Sequence, residues 1–207
     1  MRASEPGGAD VGDPLVAAAR DLRRGALVVA ATETLVGLLA DPFHAAALAR
    51  VAVLKQRPPT EAFPLIVPDA AVAATLSGRW PAVAERLAAA FWPGPLTLLV
   101  PAAPGLPAEL VGPEGWVAVR VPGAAPATRI CVHFGGPLVA TSANLRGRPP
   151  PLRAEDVEPE IEAAVDLIVP GGAPAGRPST LVACDDAGYR IVRPGLLSDR
   201  ALRAALR

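Results

Sequence analysis

Apolar positions in this chain come in short runs, broken by prolines and glycines, and the period changes from run to run. Leu15, Val16, Ala19 and Leu22 repeat with helical spacing, and Asp13-Pro14 ahead of them is an N-cap followed by proline at the first helical position. Gly25 supplies a C-terminal stop. Leu27-Val28-Val29-Ala30 reads as a short buried strand. The polar knot Thr32-Glu33-Thr34 follows, then a second apolar run to Ala40. Asp41-Pro42 repeats the helix-start signal and predicts a helix through Leu48 and Val51 to Leu54. Lys55-Gln56-Arg57-Pro58-Pro59 ends it, because residues before proline leave helical space.

The alternation continues to the C-terminus. Strands are predicted over 63–67, 95–100, 116–121, 138–141, 165–169, 180–183 and 189–192. Helices are predicted over 69–76, from Pro81 through Phe91, over 125–134, 155–164 and 198–206. Strands alternating with helices predict an α/β class with a mixed sheet. Residues 1–12 read as a loose tail and 13–207 as one domain, with the Pro/Gly loop 101–115 the best candidate for a hinge or lid.

Composition narrows the function. The 207 residues hold equal numbers of cationic and anionic side chains, 20 each, so no global basic field gathers nucleic acid. Cys131 and Cys184 have neither metal-site nor disulfide-framework spacing, and a reducing compartment is expected. The N-terminus lacks an apolar signal core, and no apolar run reaches the ~18 residues of a membrane span, so a cytoplasmic protein is expected. Lys55 is the only lysine among the 20 cations. In an arginine-biased chain, a lone lysine marks a place where a compact ammonium is needed, or else chance.

Phosphate-loop and dinucleotide fingerprints are absent. His44 and His133 have no partner in sequence, His44 reading as a surface helix residue, so neither a metal site nor a histidine-based triad is expected. What remains is polar clusters where strands end: Thr32-Glu33-Thr34, Lys55-x-Arg57-Pro58, Thr141-Ser142-Ala143-Asn144, and Ser179-Thr180 with Arg193-Pro194-Gly195. Singly, each has a plain structural reading as a cap or a helix terminus. Together they describe an anion site. Lys55 gives a point charge, Arg57, Arg120 and Arg193 give planar forks, and Ser142, Ser179 and Asn144 add directional donors. Donors and cations without a nucleophile suit phosphoryl or nucleotidyl transfer, where catalysis is positioning and charge stabilisation.

These clusters resemble the YrdC-type family, the threonylcarbamoyl-AMP synthases. Residues Ala31 to Leu38 resemble its P-T-E-T-V-Y-G-L motif. Lys55 to Pro58 match its K-x-R-P, followed by P-L-I-V at Pro64 to Val67. Trp92 to Thr97 give W-P-G-P-L-T whole, and Arg120-Val121-Pro122 resembles R-x-P. Ser142-Ala143-Asn144 with Gly147, then Ser179-Thr180 and Arg193-Pro194-Gly195, complete a series that runs in family order.

The resemblance implies a YrdC-like twisted mixed β-sheet flanked by helices, with a concave, positively charged groove. It implies a single-domain form that joins L-threonine, bicarbonate and ATP into threonylcarbamoyl-AMP and pyrophosphate, with Mg2+ carried by the nucleotide. The product would serve threonylcarbamoyladenosine modification of tRNA, with direct or double-stranded RNA contact and downstream transferase proteins as further expected partners. Lys55 and Arg57 would be the catalytic pair and would hold phosphate and carboxylate groups. Ser142, Asn144 and Arg193 would line the nucleotide side. Thr32, Thr34, Thr97, Arg120, Ser179 and Thr180 would serve the amino acid or carbamate. Three departures fall on that side: Ala31 for proline, Val36 for tyrosine, and Pro68 where longer relatives carry histidine. They keep open a divergent paralogue with another acceptor. A non-catalytic RNA-binding or regulatory module is the remaining class, disfavoured by zero net charge and few aromatics.

Overall fold

The computed structural model describes residues 12–58 and 60–207, so nearly all of the expected tail lies outside the described residues. The helices are α1 (Pro14–Leu22), α2 (Ala45–Leu54), α3 (Ala70–Thr75), α4 (Ala82–Phe91), α5 (Pro126–Phe134), α6 (Pro159–Ala164) and α7 (Asp199–Ala205). The strands are β1 (Val28–Ala31), β2 (Val36–Ala40), β3 (Leu65–Ile66), β4 (Leu96–Pro101), β5 (Trp116–Arg120), β6 (Leu138–Ser142), β7 (Leu167–Ile168), β8 (Thr180–Asp185) and β9 (Gly188–Arg193). They form one nine-stranded sheet in the order β7-β1-β2-β6-β3-β5-β4-β8-β9. The pairs β1/β7, β3/β5 and β4/β8 are parallel and the rest antiparallel, so the expected mixed α/β sheet is present.

Strand periodicity divides the core in two. Val29 and Ala31 of β1, Leu96, Leu98 and Val100 of β4, and Val117 and Val119 of β5 point to one face, where α2, α4, α6 and α7 cover them. Val28, Ala30, Leu39, Ile66 and Leu138 point to the other face, under α1 and α5. Those two helices cover the β1–β2–β6 end. On the same face, Thr97, Leu99, Ala118, Arg120, Leu181 and Ala183 are left to line an open cleft.

Two local expectations are corrected. Helix α2 begins at Ala45 and not at Asp41: Asp41 Oδ1 accepts from Phe43 N at 2.8 Å in a turn, and His44 is the cap, its Nδ1 accepting from Ala47 N at 3.3 Å. His44 is therefore a helix cap rather than a surface helix residue. Helix α6 begins at Pro159, which has no N–H to carry a longer helix through it; residues 154–156 form a 3-10 turn instead. In the loop 101–115, Leu110 is fully buried and Phe63 N donates to Glu109 O at 2.7 Å, while Gly112, Pro113 and Glu114 reach the cleft.

Gly25 closes the turn after α1 with φ +87°, and a Cβ there would stand 2.5 Å from the His44 ring. Gly25→Ala is therefore expected to combine backbone strain with loss of the His44 cap, about 2–3 kcal/mol in urea unfolding.

Candidate functional site

The open part of the sheet forms a cleft of about 550 Å³. Eight of the residues singled out above line it: Thr32, Thr34, Arg57, Thr97, Arg120, Ser142, Ser179 and Arg193. Lys55, Asn144 and Thr180 stand behind its wall. The expected gathering at strand ends is what the structure shows. Arg120 is the last residue of β5 and Thr97 the second of β4, both on the face that helices leave bare.

Each motif has a structural task in bringing these side chains together. The W-P-G-P turn ties three strands: Gly94 N donates to Val121 O at 2.9 Å, and Pro95 O accepts from Thr180 N at 3.0 Å. Trp92 Nε1 donates to Leu96 O at 2.7 Å. These bonds set Thr97 of β4 beside Ser179, and their hydroxyls share a hydrogen bond at 2.7 Å. The P-L-I-V strand adds Val67 N donating to Arg120 O at 2.9 Å, which fixes the backbone that carries Arg120.

In the polar knot, Thr32 Oγ1 accepts from the amides of Thr34 and Leu35, both at 3.1 Å, and so closes its own turn. It also shares a hydrogen bond with Thr34 Oγ1 at 2.8 Å. Arg120 Nη1 donates to Thr34 Oγ1 at 3.1 Å and to Glu33 Oε1 at 2.6 Å. Burial pulls Arg120 below the usual guanidinium range, while Glu33 pulls it back up; it stays charged.

Lys55 and Arg57 leave α2 through a Schellman turn. Gln56 N donates to Val53 O and Arg57 N to Ala52 O, both at 3.0 Å, with Gln56 in the left-handed region at φ 45°. Arg57 is fixed against the next segment: Nε donates to Glu61 O at 2.8 Å, Nη2 donates to Ala62 O, and its guanidinium lies 4.7 Å from the Phe63 ring centre.

Lys55 is turned to a neighbouring turn and is absent from the cleft lining. Its Nζ donates to Ser142 O at 2.7 Å, to Asn144 O, and to Asn144 Oδ1 at 3.2 Å, so all three ammonium protons are used on one turn. Burial, reinforced by Arg57, lowers its pKa to about 8. Asn144 is likewise turned inward, its Nδ2 donating to Leu145 O and Arg148 O. Thr180, fully buried, is corrected too: its Oγ1 accepts from Leu197 N at 2.8 Å and donates to Leu197 O at 2.9 Å. It fastens the 193–197 segment and does not face the cleft. Arg193, on that segment, has Nη2 donating to Ser179 O at 3.3 Å.

Four arginines line the cleft, Arg57, Arg120, Arg190 and Arg193, against one glutamate, Glu114. Among the described residues, Arg120 forms an ion pair while Arg57 and Arg193 form none. The cleft thus holds one guanidinium balanced by a carboxylate, on Arg120, and others that form no ion pair among the described residues. Among the described residues no group of three or more His, Cys, Asp or Glu side chains is placed to hold a metal ion, and no helix is long and apolar enough to cross a membrane.

Sequence reasoning missed Glu33 as a site residue, and the apolar part of the lining, Leu99, Trp116, Leu181 and Val192. The signal was in the strands: alternate residues about Thr97 and Arg120 mark one face, and Leu99 and Ala118 share it. Of the three family departures, Val36 alone is among the lining residues.

The family Sua5_yciO_yrdC, described as "Telomere recombination", matches residues 20–195. The threonylcarbamoyl-AMP synthase of Chromohalobacter salexigens is 40% identical over 174 residues, which are 83% of this chain and 93% of that protein. The crystal structure of P. abyssi Sua5 complexed with L-threonine superposes with a TM-score of 0.87 at 31% identity over 93% of this chain, and this chain spans only 57% of that longer protein. The crystal structure of E. coli YciO gives a TM-score of 0.82 at 25% identity, covering 91% of this chain and 92% of that one.

Proposed function

Because the chain belongs to the Sua5/YciO/YrdC family, we infer that it is a threonylcarbamoyl-AMP synthase, a nucleotidyltransferase that consumes L-threonine, bicarbonate and ATP. The observation that carries this reading is the uneven pairing of the cleft's arginines. A zwitterion suits Arg120, which is balanced by Glu33 and flanked by hydroxyls. A triphosphate suits Arg57 and Arg193, which form no ion pair among the described residues.

In this reading Thr32, Thr34, Thr97, Arg120 and Ser179 receive the amino acid. Arg57, Ser142 and Arg193 receive the phosphates. The amine of threonine takes up the bicarbonate carbon with loss of water. The carbamate oxygen then attacks the α-phosphorus, the bond to the β-phosphate bridge breaks, and pyrophosphate leaves. Guanidinium groups held in place before the reaction stabilise the charge that builds on the departing pyrophosphate. Mg2+ comes with the triphosphate and screens it. Lys55 and Asn144 act through the turn that carries Ser142. The product then serves tRNA threonylcarbamoylation by a downstream transferase, in the cytoplasm.

The test is pyrophosphate release with threonine and bicarbonate omitted in turn. Release is expected to require both. Equal release without threonine overturns the reading, and a preference for another amino acid in a panel supports a changed acceptor beside Val36.

A further inference from the structure

Glu33 is the middle residue of the polar knot and is absent from the cleft lining. It is half-buried beside the cleft-lining Arg120. In the pair with Arg120 the side chains are only 18% and 8% exposed. Its second oxygen, Oε2, is buried without a hydrogen-bond partner among the described residues. Gly123 closes over it, since a Cβ there would stand 3.1 Å from Glu33 Cγ. Burying a carboxylate with one oxygen unsatisfied is costly, and the compensating charge within reach is Arg120.

Arg120 is held by one corner. Nη1 spends itself on Glu33 and Thr34, and among the described residues Nη2 and Nε donate to no protein group. The edge left over belongs to a cleft-lining residue. Arg193 stands near enough to push against Arg120 electrostatically. Without Glu33, Arg120 and Arg193 would form one cationic patch open to phosphate.

We propose that Glu33 is a specificity-determining positioning residue: it cancels the charge of Arg120 and grips one corner, so that the remaining edge takes a monoanionic carboxylate and not a phosphate. The inference rests on the amino-acid assignment above and adds the reason why the two anionic groups of the two substrates do not exchange places. Glu33 touches no substrate; it acts through Arg120.

The test uses the full chain with Glu33→Gln, which keeps size and an acceptor oxygen but removes the charge. The KM for threonine is expected to rise about tenfold, because the corner that holds Arg120 is weakened, while the KM for ATP keeps its wild-type value. Sulfate, a poor competitor of threonine in the wild type, becomes competitive in the variant. Titration calorimetry with sulfate alone should show a binding event in Glu33→Gln beyond any at Arg57 and Arg193 in the wild type, so this readout stands even where turnover fails. Glu33→Asp keeps the charge and shortens the arm: threonine KM rises, but sulfate still does not compete. Equal increases in both KM values, or sulfate behaviour unchanged in Glu33→Gln, overturn the proposal. A wild type whose pyrophosphate release ignores threonine overturns the amino-acid assignment and leaves the sulfate comparison to decide the charge-cancelling role.

Discussion

Lys55→Ala is expected to lower the rate of pyrophosphate release by about a hundredfold, and Lys55→Arg to recover little of it. The reason lies in the three oxygens around Nζ, from Ser142 O, Asn144 O and Asn144 Oδ1. A tetrahedral ammonium serves three acceptors converging on one point, whereas a planar guanidinium presents its donors as a fork. This accounts for a chain with 20 cations keeping one lysine. Losing it leaves Asn144 O and Oδ1 without their donor and frees the turn that carries Ser142 at the cleft. The ammonium must be charged to donate three times. With its pKa lowered to about 8 by burial, the protonated fraction falls as pH rises through that value. The rate at saturating substrates is therefore expected to fall on the alkaline side of pH 8. A pH–rate profile of the wild type checks the sign, and full activity in Lys55→Arg contradicts the tripod.

Gly195→Ala is expected to be as damaging by a different route. A Cβ at Gly195 would stand 2.4 Å from Ser179 C and Thr180 N and 2.5 Å from Pro178 O. These are backbone atoms at the start of β8 and cannot swing aside as a side chain can. The 193–197 segment must lift away from Ser179, breaking the Thr180 bonds to Leu197 and moving Arg193 off its place. Overpacking of this kind costs roughly 1–3 kcal/mol. Because Ser179 and Arg193 both line the cleft, activity should fall about a hundredfold as well, since small displacements of positioning groups are that expensive. Urea unfolding and the pyrophosphate assay measure the two parts. Wild-type stability and rate in Gly195→Ala contradict the close approach.

Local physics was legible along much of the chain. Asp13 caps α1 as its place before Pro14 predicts, with Oδ1 accepting from Leu15 N at 2.8 Å. The strand periods and the mixed class also follow from apolar spacing. What spacing does not carry is the third dimension. Nothing near Asp41-Pro42 distinguishes a turn from a helix start; the outcome is decided by His44 capping from three residues on. The ordered motifs marked Ser142, Ser179, Arg193 and the two knot threonines as neighbours, and they do line one cleft. The same motifs placed Thr180 and Lys55 in the cleft, and both are turned to backbone. A hydroxyl or ammonium looks alike in sequence whether it meets a ligand or a carbonyl. Glu33 went unread because its task depends on Arg120, 87 positions away.

A crystal structure with a non-hydrolysable ATP analogue and L-threonine tests the division of labour among the cleft's arginines most directly. The phosphates are expected on Arg57, Ser142 and Arg193, and the amino-acid carboxylate on the free edge of Arg120 with Glu33 still behind it. Phosphates on Arg120, or threonine bound away from the polar knot, would contradict that division.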